Sequence, residues 1–193
     1  MVTNGLFTPI GTRLVKVSAK SVRLPFNGCE PDYIKNVCKA ACCRSSARPE
    51  GALIAVTRDE ARTIVFLGQK VRGGLIVTVN KRCPFQKTDD HLCSLHGTPA
   101  KPTGCIASPF FLNRNDTLVI RHRYLALKCF NDGHKLPAYV AFRSSLNMLF
   151  GTEEAIRVCT HIASGGGDLT ATMLEQHYQM LKHNFAVHHD KKA

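Results

Sequence analysis

Residues 81–112 read KRCPFQKTDDHLCSLHGTPAKPTGCIASPFFL. Cys83, Cys93 and Cys105 stand in this stretch, with nine and eleven residues between them. Regular structure is also interrupted here. From Lys81 to Ile120 the chain carries Pro84, Pro99, Pro102 and Pro109 together with Gly97 and Gly104. So long a turn-rich segment needs something to hold it, and a metal bound by its cysteines would cross-link it. Each cysteine sits in turn chemistry: Cys83-Pro84, Cys93-Ser94-Leu95-His96-Gly97 and Thr103-Gly104-Cys105. Tight turns aim backbone N–H groups at a thiolate and stabilise its charge. His96 reads as an outer donor to such a site, or as no part of it, rather than as a ligand.

Upstream lies a second group, Cys29, Cys38, Cys42 and Cys43, and downstream Cys129 trails the first stretch. Thiolates bind soft metals tightly, so eight of nine cysteines in two groups point to metal chelation. Residues 31–41 are expected to form a short helix with Ile34, Val37, Cys38 and Ala41 on one face. Cys38 and Cys42, four apart, would then reach one metal. Cys43 would point about 100° further round. A doublet pointing two ways suits two nearby metals or a multi-iron cluster better than a single zinc. Cys129 could return to the cluster or stand outside it.

With these residues in place, the chain resembles the YkgJ-type cysteine-cluster family. The resemblance rests on Cys83-Pro84-Phe85, Cys93-Ser94-Leu95-His96, Lys101-Pro102-x-x-Cys105 and Ser108-Pro109-Phe110, with Cys29, Cys38 and Cys42-Cys43 matching the upstream signature. It covers roughly residues 26–130. The family is described as zinc- or iron-chelating, and in places as iron–sulfur proteins. The resemblance implies metal binding but no particular reaction.

The flanks read as conventional elements. A strand is expected around Leu14, Val15 and Val17, and another at 53–56. Thr57 starts a helix, with Glu60 completing a capping box and Ala61, Ile64 and Val65 facing inward. Gly73-Gly74 precedes a strand at 75–79, and 117–123 reads as a strand. From Pro137 the character becomes helical: Tyr139, Phe142, Leu146 and Leu149 form a stripe ended by Gly151. A second helix is expected from Thr152 to about Ala163, with Ala155, Cys159 and Ile162 on one face, which makes Cys159 a core thiol. Asp168, after Gly165-Gly166-Gly167, reads as the N-cap of a last helix carrying Leu174, Tyr178, Leu181 and Phe185. Residues 45–51 read as a loop and 187–193 as a frayed tail.

Composition narrows the function classes. The 193 residues are 44% hydrophobic, as in a globular protein, and carry a net charge of +12 with a pI near 9.5. That balance suits nucleic acid or another anionic partner. Arg121, His122 and Arg123, with Lys81, Arg82 and Arg114, read as a solvated basic surface in preference to an anion-binding face near the metal region. No run approaches the roughly 18 apolar residues of a membrane helix, and the start lacks the pattern of a secretory signal. Localisation is therefore expected to be cytoplasmic, where thiols stay reduced. Nine cysteines also fit a closed disulfide framework poorly. No GxSxG elbow or HExxH helix occurs, so no enzymatic reaction is assigned.

The expectation is an α+β fold: a loop-rich metal-binding cysteine region over 1–136, with C-terminal helices, 137–193, packed on it or part of the same domain. The metal ligands would be Cys38, Cys42, Cys43, Cys83, Cys93 and Cys105, with Cys29 and Cys129 as further candidates. An iron–sulfur cluster is favoured over zinc. The alternative is a zinc-stabilised nucleic-acid-binding protein using its basic surface.

Overall fold

The main sheet is assembled from strands far apart in the chain. The computed structural model describes residues 11–44, 52–133 and 135–189. In chain order the first elements are β1 (Thr12–Val17), α1 (Ala19–Val22), β2 (Pro25–Phe26) and α2 (Pro31–Tyr33), which runs into a π turn (Ile34–Cys38) and then a 3-10 turn (Ala41–Cys43). Next come β3 (Ala52–Ala55), α3 (Arg58–Phe66), β4 (Val71–Arg72), β5 (Leu75–Val77), α4 (Thr103–Ala107), β6 (Phe110–Leu112) and β7 (Thr117–Ile120). A 3-10 turn (His122–Ala126) leads to α5 (Lys128–Asn131), β8 (Leu136–Pro137), α6 (Ala138–Ala141), α7 (Arg143–Phe150), α8 (Thr152–Ala163), β9 (Leu169–Leu174) and α9 (Glu175–His189). The fold is α+β.

Sheet order is β6-β7-β1-β9, with β1 parallel to β7 and antiparallel to β9. The period of two decides which side is buried. Val15 and Val17 of β1, Ala171 and Met173 of β9, Phe110 and Leu112 of β6, and Leu118 and Ile120 of β7 are buried. Leu14, on the other face, is 72% exposed. The inward face meets Leu146 and Leu149 of α7, Val158 and Ile162 of α8, and Leu181 of α9 in one core. Fully burying such a side chain contributes about 1.5–3 kcal/mol. Arg23 reaches the end of α8, donating to the carbonyls of Ile162 and Gly166 at 2.7 and 2.6 Å.

A smaller core lies under a second sheet, β3-β5-β4. Gly73 and Gly74 (φ 55° and 70°) supply the left-handed two-residue turn that joins β4 to β5. Val56, Ile64, Ile76, Phe85 and Leu95 are its buried residues, with Cys83 and Cys93 packed against them. A third, two-stranded sheet pairs β2 with β8 across residue 136.

Several expectations are corrected. Residues 169–174 form β9 rather than a helix, and Asp168 does not cap the last helix: its Oδ1 accepts the N–H of Ala19, the first residue of α1, at 2.9 Å. Pairing along the whole of β1 outweighs the helical stripe counted from Leu174. Thr57 and Glu60 form the expected capping box, but Val65 is 58% exposed and only Ile64 of its face is fully buried. Residues 121–123 leave the strand, which ends at Ile120, and the helix from Pro137 breaks at Phe142. The loop at 45–51 and the end of the tail, 190–193, lie outside the described residues.

Candidate metal centre

Cys38 and Cys42 do not share a helix. The π turn ends at Cys38, and Lys39 and Ala40 both take left-handed backbone (φ 50° and 45°). Neither is glycine, so each conformation costs of order 1–3 kcal/mol and the surroundings must hold it. The Lys39 carbonyl accepts from Gln86 Nε2 at 2.9 Å and from Arg44 Nη2 at 3.0 Å, which ties the turn to the downstream cysteine stretch. The reversal aims the N–H groups of Ala40 and Ala41 at the Cys38 sulfur. Cys83 repeats the motif with the N–H groups of Phe85 and Gln86. Burial pushes both thiols up, and these donors, two and three residues on, oppose it by favouring the thiolate.

Backbone pairing gathers the remaining cysteines. The Cys83 N–H donates to the Cys43 carbonyl at 2.8 Å, and Gln86 bridges Cys93. The Asn27 N–H donates to the Cys129 carbonyl at 2.7 Å, which brings α5 beside the chain entering Cys29. Cys105 rides on α4, anchored at both ends. Glu60 Oε1 accepts from Thr103 N and Oγ1 at 2.7 and 2.6 Å, and buried Ser145 donates to the Ile106 carbonyl at 2.7 Å.

Electrostatics follow from this crowding. Burial, then neighbouring thiols, pushes Cys29, Cys105 and Cys129 up to about 12. Cys29 has an exposed residue surface, yet its sulfur is enclosed enough to feel this. The doublet sulfurs lie 3.9 Å apart. The hydrogen bond the doublet shares holds Cys42 down against burial, with Arg123 and Lys101 assisting, and the same bond plus burial pushes Cys43 up.

Arg121 and Arg123 correct the favoured reading of a solvated surface. Arg121 is 9% exposed, packs over the Phe111 ring and has its pKa lowered by burial. For Arg123, burial is outweighed by Tyr124 and then by Cys42 and Cys43, and its buried Nε lacks a hydrogen-bond partner. Among the described residues, no ion pair joins either guanidinium to a carboxylate. They are therefore not a solvated surface, although His122 between them is exposed. Their place in the chain, just before Cys129 and after the downstream cysteine stretch, was the signal in the sequence for the anion-binding alternative.

Cys159 is buried in the main core, its sulfur 3.8 Å from the Tyr139 carbonyl, away from the other cysteines. His96 is exposed and pairs with Lys101 at 3.0 Å. The structure thus brings eight cysteines into one region and leaves the ninth in the core. All nine are free thiols. Among the described residues, however, no three His, Cys, Asp or Glu side chains are grouped so that they could hold a metal ion. The donor chemistry suits a soft metal or an iron–sulfur group, and the orphaned Arg123 Nε suits an added anionic charge. The side-chain positions alone do not assemble a ligand shell.

Comparison with protein-family models, curated proteins and solved structures finds no match to this chain. Among the described residues no helix is long and apolar enough to cross a membrane.

Proposed function

We propose that this chain is a metal-binding cysteine-cluster protein of the YkgJ type, holding an iron–sulfur cluster, or failing that zinc, on thiolates from Cys29, Cys38, Cys42, Cys43, Cys83, Cys93, Cys105 and Cys129. The observation that supports the reading is the gathering of eight free thiols in one region together with two buried guanidinium groups, Arg121 near Cys105 and Arg123 near Cys42 and Cys43, neither paired with a carboxylate among the described residues. Neutral thiols would leave these cations uncompensated, whereas thiolates on a metal supply the missing negative charge. When bound, a cluster would supply one-electron chemistry, and zinc would supply a rigid cross-link. The chain's own contribution is to deprotonate and orient the sulfurs. The N–H groups at Cys38 and Cys83 stabilise thiolate, and Arg121 and Arg123 offset its charge.

Anaerobic purification followed by metal and acid-labile sulfide analysis tests this reading. Iron with sulfide and broad visible absorption supports the cluster; stoichiometric zinc without colour supports the zinc form. A folded chain free of both metals overturns the proposal.

One observation favours a second reading, the zinc-stabilised nucleic-acid binder. Phe66 is 89% exposed on α3 and shares a groove with Arg58 and Arg62, a combination suited to base stacking and phosphate contact. Salt-sensitive retention on single-stranded RNA or DNA that Phe66→Ala abolishes would support it, and retention unchanged by that substitution would remove it.

A further inference from the structure

We propose that Arg44 and Arg82, with His91 and Lys39 beside them, form a binding site for a phosphate-class anion. The site stands apart from the metal-binding reading, since no thiol takes part in it.

The backbone sets the two arginines against each other. Arg44 and Arg82 are direct partners in an antiparallel bridge. The next rung, the Cys83 N–H on the Cys43 carbonyl at 2.8 Å, fixes that register. Arg82 is held from its other side too, exchanging N–H to carbonyl bonds of 2.9 Å with Val79. Directly opposed residues carry their side chains on one face, with Cβ atoms about 5 Å apart. Two like charges so placed repel each other and weaken the pairing, unless a negative group sits between them.

Two more polar residues meet Arg44 through one carbonyl. The Lys39 carbonyl accepts from Arg44 Nη2 at 3.0 Å and from Gln86 Nε2 at 2.9 Å. That Gln86 nitrogen also lies 3.5 Å from the His91 carbonyl. Lys39, His91 and Lys81, the last next to Arg82, all take left-handed backbone (φ 50°, 63° and 63°), and none is glycine. Strain of this kind gathers at binding and active sites.

Elsewhere the cations find carboxylates, as Arg13 finds Glu175 and Arg157 finds Glu154. Among the described residues no ion pair joins Lys39, Arg44 or Arg82 to a carboxylate. Asp90, close to His91 in the chain, is engaged already: one oxygen accepts the Leu92 N–H at 2.9 Å and the other faces Lys87 at 3.8 Å. Arg44 Nε and His91 Nδ1 are both buried without a hydrogen-bond partner. Such atoms are uncommon in proteins, and here two of them accompany two opposed guanidinium groups.

The number of donors selects the anion. A carboxylate offers two oxygens and one charge, enough for one guanidinium fork. A phosphate group offers three strong acceptor oxygens and close to two charges, enough for both forks and a further donor. Arg44, Arg82 and His91 are half-buried and Lys39 is exposed, which leaves the group open to a ligand from solvent.

Calorimetric titration of the full chain with inorganic phosphate, at ionic strength held constant with chloride, tests the site. One phosphate per chain is expected to bind. Arg82→Gln and Arg44→Gln should each weaken it at least about tenfold, and Arg114→Gln, an exposed arginine in the β6–β7 turn, should leave it unchanged. A wild-type chain that binds no phosphate, or an equal loss in Arg114→Gln, overturns the proposal. Should Arg44→Gln fail to fold, because its guanidinium also holds the Lys39 carbonyl, Arg82→Gln and the exposed Lys39→Gln carry the test, and unchanged affinity in both overturns it. Metal content and melting temperature are measured on the same samples. Phosphate affinity that falls only together with either of these overturns the site, whereas a wild-type chain that holds phosphate but no metal overturns the metal-binding reading alone. A single-stranded oligouridine distinguishes the source of the phosphate: competition that Arg82→Gln abolishes assigns it to a polynucleotide backbone, and no competition assigns it to a small phosphorylated molecule.

Discussion

The two halves of this molecule are stabilised by different means. The four-stranded sheet and its helices enclose a continuous apolar core that includes Phe26, Phe110, Leu112, Leu118, Leu146, Leu149 and Leu181. Among the described residues the β3-β5-β4 sheet, α3 and the cysteine stretch have a smaller cluster, Val56, Ile64, Ile76, Phe85 and Leu95, yet they must order the turns from Lys81 to Pro102. Ordering each backbone residue costs about 1–2 kcal/mol. Cys83 and Cys93 pack against that smaller cluster, where a cross-link would add to it. On the metal-binding reading, the contrast teaches that a thiolate cross-link takes the place that leucines hold in the larger half.

On the metal-binding reading, the most severe way to break the comparison is to remove the metal. Structural zinc contributes about 10–16 kcal/mol to the folding of small zinc peptides. Chelation should therefore unfold the cysteine region while the main sheet persists, giving two transitions by circular dichroism. One cooperative transition would mean that the halves are not energetically distinct.

Truncating the larger core comes next. Leu149→Ala removes a fully buried side chain and should cost about 2–5 kcal/mol, lowering the main melting transition without changing metal content. Loss of metal in this variant would show that the core and the cysteine region fold as one.

Glu60→Ala should act on the smaller half. It deletes the α3 cap and leaves the Thr103 N–H without its acceptor, for about 1–3 kcal/mol. Denaturant melts should show the loss in the cysteine-region transition.

The smallest effect is expected at Asp116, which joins the β6–β7 turn to α9. Lys182 pairs with it at 2.5 Å and Tyr178 donates to it at 3.0 Å, and these hold its carboxyl below the usual value despite some burial. A depressed carboxyl contributes stability that is present above the unfolded value of 3.8 and is lost as pH falls through the folded one. Asp116→Asn should therefore cost at most about 1 kcal/mol at neutral pH, given its exposure, and the deficit should vanish in acid.

Much of the fold was legible because local rules and tertiary packing agreed. The bounds of α8, the Thr57–Glu60 capping box, the stop at Gly151 and the burial of Cys159 all follow from short-range pattern. β9 was not legible in that way. Ala171 and Met173 alternate as a strand should, but Leu174, Tyr178 and Leu181 offered a competing helical stripe, and only pairing with β1 resolves it. The left-handed turn at Lys39-Ala40 carried no glycine to announce it; Gln86, 47 positions away, holds it in place. The eight clustered cysteines were visible as a set. Arg121 and Arg123 were visible as basic residues near that set, but their burial was hidden because burial of a cation depends on partners distant in the chain.

The Glu60 carboxylate uses one oxygen to close the first turn of α3 and the other to hold the turn that carries Cys105. Fraying of that helix and release of that cysteine are therefore a single opening event. Amide hydrogen exchange in the first turn of α3, a place with no sulfur of its own, becomes a reporter of how tightly the cysteine stretch is closed.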